Sequence, residues 1–473
     1  MAIQPQNTLF IFSDEHTREI TGCYGNSIIR TPNIDALAAR GTRFDNAYTN
    51  CPICVPARGS LATGRYVHDL RLWDNAHPYF GEPQGWGHRL MDAGHHVTSI
   101  GKLHYRSEQD PTGWNEEIDT LHVINGIGDV AGCIRTDMQE RRTARFMAED
   151  AGRGDSSYVR YDASTAEHAV RWLHDEAPKH TAKPWTLFVG FVLPHFPLRA
   201  PPAFFDLYPD LPAPRMYGKE ERPTHPVVEE LSRIQAYDKY FDADKVSVAR
   251  QAYFGMVSYL DHCIGRVMSA LNDANLADST RIVYTTDHGD NIGHRGMWGK
   301  SNMYEESAAL PMIVAGADVP KGKSVATPVS LVDCYQTFVE GAGLQLTESE
   351  RNELPGHSLI AIANGETPER TILSEYHASS STTGFFMIRN GNYKYVYYVG
   401  APAQLFDLAS DPQETLDLAT DPAFANTLTE CELKLRGVVN PEKVSAQAFA
   451  DQAAMIERHG GREALLGGSD LGY

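Results

Sequence analysis

Four short apolar runs, each stopped by charged or imidazole side chains, constrain the fold of this 473-residue chain more than any other feature. They are TLFIFSD (8–14), HHVTSIGKLH (95–104), the first part of PWTLFVGFVLPHFPLRAPP (184–202) and the start of RIVYTTDHGDNIGHRGMWGKSNMYEE (281–306). Runs of this length without strict alternation read as strands buried on both faces. LPMIVAG (310–316) is a fifth. Helical patterns lie between them. TPNIDALAARGTRF (31–44) has Pro32 near its start, Asn33 as cap and Gly41 as stop; STAEHAVRWLHDEA (164–177) has a serine cap; ARQAYFGMVSYLDHCIGRVMSALNDANL (249–276) is long and amphipathic. Strands alternating with helices predict an α/β sheet with helices on both faces.

The pattern changes near residue 370. RTILSEYHA, FFMIRNGNYKYVYYV and AQLFDLASDPQE read as strands in quick succession, with RNGNYK as a hairpin signal. The expected organisation is a large α/β domain over residues 1–370 and a small antiparallel sheet subdomain with a helical tail over 371–473. The closing GGSDLGY is expected to be loose or to dock on a neighbouring subunit.

The formal net charge is −19, which argues against nucleic acid and against an anionic membrane surface as partners. An anionic substrate would then need strong local positive charge at its site. No window holds some 20 consecutive apolar residues, so no membrane span is expected. The N-terminal MAIQPQNTLFIFSDEH lacks the features of a signal peptide. Seven irregularly spaced cysteines do not suggest a disulfide framework, and a reducing cytoplasm is the expected location.

Ligands of α/β sheets gather at the carboxyl ends of the strands. Four clusters are expected there: Asp14-Glu15-His16, Lys102-Leu103-His104, His195, and Asp287-His288. Each alone reads as a turn or cap residue or a structural histidine, and Lys300 alone as a solvated lysine. Together they say more. Asp14, Asp287 and His288 offer a hard divalent cation two carboxylates and an imidazole, a set suited to calcium or manganese. Lys102, His104, His195, Lys300 and Arg58 supply the positive charge that the chain as a whole lacks. Carboxylates for a metal beside cations for an oxyanion suit phosphoryl or sulfuryl transfer.

NCPICVPARGSLATGRY (50–66) holds Cys51 and Cys54 three apart, with Pro52 and Pro56 expected to keep the stretch out of regular structure. A zinc site would need a second pair, and Cys23, Cys133, Cys263, Cys334 and Cys431 are isolated. A redox pair normally opens a helix in a thioredoxin-like unit, a pattern not seen here.

The third reading starts from CVPAR, a Cys-x-Pro-x-Arg followed by Leu61, Thr63 and Gly64. It resembles the signature of the type I sulfatases of the alkaline phosphatase superfamily. GCYGN, RTPNIDALAARGTRFDNAYTN, GKLH, PHFP, DHGDNIGHRGMWGKSNMYEE and YKYVYYVGAPAQLFDLASDPQE resemble further blocks of that family, in order, over nearly the whole chain. The resemblance implies an alkaline-phosphatase-like fold: a large mixed sheet flanked by helices, plus the small C-terminal antiparallel sheet. It implies that a maturation enzyme oxidises Cys54 to formylglycine (3-oxoalanine), and that one divalent cation, Ca2+ or Mn2+, is held by Asp14, Glu15, the modified Cys54, Asp287 and His288. Glu15 departs from the Asp or Gln of many members.

The activity implied is hydrolysis of small sulfate esters (aryl, choline or other alkyl) through a formylglycine hydrate and a covalent sulfo-enzyme. His104 is implied as the base that re-forms the aldehyde, with Arg58 and Lys102 steadying the hydrate. His195 and Lys300 are implied to hold sulfate oxygens and aid the departing alcohol, and Asn75 to face the site. Phosphonate monoester hydrolases replace the Lys-x-His element that GKLH keeps here, so sulfate is expected over phosphonate or phosphodiester. A non-catalytic metal-binding protein is the alternative of a different class. A homodimer or tetramer is also implied. Tyr105, Trp73, Trp298, Tyr376 and Glu375 are candidates by position for a quaternary-ammonium cage, and each reads more readily as core or rim packing.

Overall fold

The computed structural model describes residues 5–467. The main sheet has eight strands among these residues: β1 (Asn7–Asp14), β2 (Thr42–Phe44), β3 (Val97–Lys102), β4 (Glu116–Leu121), β5 (Thr186–Pro194), β6 (Thr280–Thr286), β7 (Ile313–Ala315) and β8 (Lys323–Val325). Their order across the sheet is β8-β2-β7-β6-β1-β5-β3-β4. The five strands from β6 to β4 run parallel, and β7 is antiparallel to both its neighbours. The sheet is therefore mixed, as expected.

The central strands are buried almost throughout because both faces are covered. Leu9 and Ile11 of β1 pack on one side, with α3 (Ser157–Asp175) and α4 (Ala243–Asp273). Phe10 and Phe12 pack on the other, beside Ala57 and Leu61 of α2 (Cys54–Thr63). Alternation along the strand thus divides one run between two cores. Since β1, β3, β5 and β6 are parallel, their carboxyl ends share one edge, which brings Asp14, Lys102, His195 and Asp287 together.

Several local expectations are corrected. Cys54 opens a helix, and Pro56 sits in its first turn, where a missing amide hydrogen costs nothing. α3 begins at Ser157 with Ser156 as its cap, eight residues before the expected cap, so Ser164 is interior. α1 (Pro32–Ala39) is preceded by Thr31, and Asn33 donates to Asp261 instead of capping. α4 starts at Ala243 under an Asp242 cap.

The second sheet pairs β9 (Ile372–Tyr376), β10 (Phe385–Asn390), β11 (Tyr393–Tyr398) and β12 (Gln404–Asp407), all antiparallel. The expected hairpin joins β10 to β11 through Gly391, whose φ of 56° suits glycine. Helices follow, including α5 (Pro441–Arg458). The tail from residue 468 lies outside the described residues. No helix among them is long and apolar enough to cross a membrane. All seven cysteines are free.

An ion pair fastens β9 to the main body. Glu375 accepts from His68 Nδ1 at 2.8 Å and bonds His377 Nε2 at 3.0 Å. Burial opposes charge on His68, but Glu375 outweighs it and pushes the imidazole up to about 9 from 6.5. A raised imidazole stabilises the fold fully below about pH 6.5 and ceases to do so as pH rises through about 9. Urea titrations are expected to lose about 3 kcal/mol over that window, from 1.36 kcal/mol per pKa unit, and His68→Gln to flatten the slope. An unchanged slope in the variant would contradict the assignment.

Candidate active site

Arg58 lies one turn along α2 from Cys54, so both project to the same side of the helix. Its guanidinium joins two strands: Nη2 donates to Asp14 Oδ2 and Nε to Asp287 Oδ2, each at 2.9 Å. Nη1 donates to the Lys102 carbonyl at 2.9 Å, and Lys102 Nζ reaches Asp14 Oδ2 at 2.6 Å. These side chains are all buried. Burial would drive the Asp14 carboxyl up, but Lys102 and Arg58 hold it well below the usual range.

With each Oδ2 taken by a cation, the Oδ1 atoms turn toward Cys54 and His288. Cys54 Sγ lies 3.7 Å from Asp14 Oδ1 and 3.2 Å from His288 Nε2, and His288 Nε2 lies 3.6 Å from Asp287 Oδ1. One ligand atom from each of Asp14, Cys54, Asp287 and His288 falls within 4.8 Å of the others. His288 Nδ1 is 3.0 Å from the Gly289 carbonyl; donating there leaves Nε2 bare as a ligand. Two carboxylate oxygens and an imidazole around the Cys54 position fit a hard divalent cation. As a thiol, Cys54 fits less well: burial and Asp14 push it up to about 12, so it stays protonated. It stands at the first position of α2, where the helix dipole favours negative charge on whatever group it carries.

Glu15 is buried beside this cluster. Its Oε2 accepts from Lys300 Nζ at 2.9 Å and lies 3.3 Å from His195 Nε2, and the buried Asp290 carboxyl lies close by. It groups with Asp14 and His195, not with the four-ligand set. Burial raises its carboxyl well above the usual range despite Lys300. Its φ of 67° and that of His104, 61°, are left-handed, strain of a kind that gathers at functional sites. His104 is held well below its ordinary value by burial, Lys102 and Arg58, and its buried Nδ1 has no hydrogen-bond partner among the described residues. A neutral imidazole with an open nitrogen is equipped to accept a proton. Asn75 stands one step back, its Oδ1 accepting from Val55 N at 3.2 Å beside Cys54.

The structure thus brings Asp14, Cys54, Arg58, Lys102, Asp287 and His288 together, with Glu15, His195 and Lys300 beside them and Asn75 one step back. It adds Tyr158, whose ring meets His195 edge-on at 6.0 Å, and Phe196, whose ring stacks on His195 at 4.3 Å with Lys300 Nζ 5.6 Å away. Tyr158 carries no spacing signal, whereas Phe196 lay within the PHFP block. The cage candidates are mostly engaged elsewhere. Trp73 donates to Asp451, Trp298 stacks on Phe241, Tyr105 packs on Tyr79, and Glu375 belongs to the His68 pair.

The sulfatase family model matches residues 6–344, and that for the C-terminal part of N-sulphoglucosamine sulphohydrolase matches 293–440. A choline-sulfatase of Rhizobium meliloti (strain 1021) is 32% identical over 430 residues, covering 88% of this chain and 83% of the relative. Arylsulfatase K of Gallus gallus is 29% identical over 475 residues, covering 93% and 83%. The phosphonate monoester hydrolase of Agrobacterium radiobacter superposes with a TM-score of 0.72 at 22% identity, covering 94% of this chain and 96% of that one. BT4656, solved with its substrate D-glucosamine-2-N,6-O-disulfate, gives 0.72 at 21% identity, covering 95% and 99%.

Removing one partner of a buried ion pair leaves the other charge uncompensated, at a cost of about 3–5 kcal/mol. Arg58→Met strands two carboxylates, so urea unfolding of that metal-free variant is expected to show at least such a loss. A loss under about 1 kcal/mol, the range of exposed pairs, would contradict the bridging role.

Proposed function

The chain belongs to the sulfatase family and hydrolyses sulfate esters, and from that premise we propose which residues divide the work. The observation that carries the reading is the convergence of Asp14, Cys54, Asp287 and His288 at a buried point flanked by Arg58 and Lys102. Members of the family use a metal ion and formylglycine. Here the ion would be Ca2+ or Mn2+, held by Asp14, Asp287, His288 and the converted Cys54, with Glu15 at the edge of the set. Bound there, it would supply Lewis acidity toward the sulfate oxygens and the attacking hydroxyl. Formylglycine would supply, in its hydrated form, the hydroxyls that a thiol lacks. Its maturation enzyme would act before folding, because Cys54 and the rest of α2 are buried.

The chain's own residues do the rest. Arg58 and Lys102 fix the charge and direction of Asp14, so its free oxygen faces the ion. His104, neutral and with Nδ1 open, takes the proton that lets sulfate leave. His195 and Lys300 converge from the other side, hold sulfate oxygens and deliver a proton to the departing alcohol. Asn75 holds the amide next to Cys54 and so steadies the start of α2. Tyr158 and Phe196 line the same side, where a small aryl or alkyl group would lie. Seven unpaired cysteines are consistent with work in a reducing cytoplasm.

Hydrolysis of phosphonate monoesters or phosphodiesters is a side activity in this reading, since Lys102 and His104 are both in place beside the nucleophile position. Protein made with a formylglycine-generating enzyme is expected to show a higher kcat/KM on an aryl sulfate than on the matching aryl phosphonate. Chelation is expected to abolish the activity and Ca2+ or Mn2+ to restore it, while Asp287→Asn stays inactive and binds no metal by elemental analysis. A dominant phosphonatase, or full activity in Asp287→Asn, would overturn the assignment.

A further inference from the structure

Strand β5 leaves its neighbours where the site begins. Its pairing with β1 runs from Thr8–Thr186 to Phe12–Gly190, then slips, so that Asp14 next meets Pro194. Its pairing with β3 ends at Gly101–Gly190. Gly190 permits a close crossing there, since a Cβ on it would lie 2.4 Å from the Lys102 carbonyl. Beyond it β5 runs on, buried, between two strands that have diverged to make room for the site.

The amides of Val192 and Leu193 do not go unpaired. Val192 N donates to Asp162 Oδ1 at 2.8 Å and Leu193 N to Oδ2 at 2.9 Å. Successive amides of a regular strand point to opposite sides, so one carboxylate takes both only where the strand is bent. Irregularities of this kind re-aim side chains beside active sites. Two residues after Leu193, the chain turns through a bond from His195 N to the Val192 carbonyl at 3.1 Å.

Asp162 is an odd residue for its place. It lies on the buried face of α3 with Val159, Thr165, Ala166 and Ala169, fully buried itself. No cation forms an ion pair with it among the described residues; its carboxylate rests on the two amides alone. Burying a carboxylate out of contact with a counter-ion is costly, and burial pushes this one up to about 7 even though both amides and the charge of Lys102 oppose the shift. An apolar side chain here would spare the buried carboxylate but leave both amides of β5 unpaired, so the residue is tied to the bend of the strand.

We infer that Asp162 is a positioning residue for His195: its carboxylate replaces the missing strand neighbours of β5 and fixes the bend that aims the imidazole at the sulfate. The inference rests on the proposed role of His195, and the test separates the two. Asp162→Asn keeps the shape but sets an amide donor against one backbone amide. Misplacement of a reacting group by about 1 Å costs on the order of 100-fold, so kcat/KM is expected to fall about 10- to 100-fold. In a His195→Asn background the same substitution is expected to cost less than about threefold, because coupled residues are non-additive. Asp261→Asn is the control. Asp261 is a buried aspartate that accepts from the Asn33 and Ile34 amides of α1, so its variant is expected to lower Tm while leaving kcat/KM unchanged.

Wild-type activity in Asp162→Asn, or an undiminished effect in the His195→Asn background, would overturn the inference. Wild-type activity in His195→Asn alone would instead overturn the role of His195. Hydrogen exchange of the unsubstituted protein gives an answer even if Asp162→Asn does not fold. The Val192 and Leu193 amides are expected to be as protected as the interior of β5, and loop-like exchange would refute the clamp.

Discussion

The Arg58 guanidinium between Asp14 and Asp287 is the contact on which the site depends. It carries one end of β1, one end of β6 and the start of α2 to a common point, at 2.9 Å on each side. Three such groups tolerate burial only as a set, because each would be costly alone. The set also has a direction. Arg58 and Lys102 occupy one side of Asp14, so the remaining oxygens face Cys54 and His288. The geometry of the candidate metal site is therefore fixed by the cationic side chains that lie behind it.

A second buried network holds the Gly-rich segment that bears Lys300. Lys394 of β11 sends Nζ to the Met303 carbonyl, Glu305 and Glu414, each at 2.7 Å. Arg18, just beyond Glu15, reaches Glu305 at 2.6 Å, and Arg295 pairs with Glu306 at 2.8 Å. The segment between β6 and residue 306 has little regular structure of its own. Its rigidity comes from these pairs, so the C-terminal sheet is part of what places Lys300 against Glu15. That is a physical reason for the two sheets to belong to one enzyme.

The strands and the chemistry at their ends were legible in the sequence because parallel strands buried on both faces leave continuous apolar runs, and the charged residues that stop them become neighbours once the strands align. The CVPAR block pointed to Cys54 and Arg58 together. What stayed hidden depended on partners distant in sequence. Nothing near Glu15 announces that Lys300 and His195 will hold its carboxylate. Pro56 suggested irregular backbone because proline breaks helices, yet the first turn asks no amide of it. Asp162 lay before the expected start of α3. Its purpose is visible only once β5 is seen to part from β1 and β3.

The most direct test is the mass of the tryptic peptide containing Cys54, from protein made alongside a formylglycine-generating enzyme and assayed for sulfate release. The account predicts a mass shifted from thiol to aldehyde, in a fraction that tracks activity from one preparation to the next. An unmodified thiol in fully active protein, with another sulfatase converted in the same cells, would contradict it.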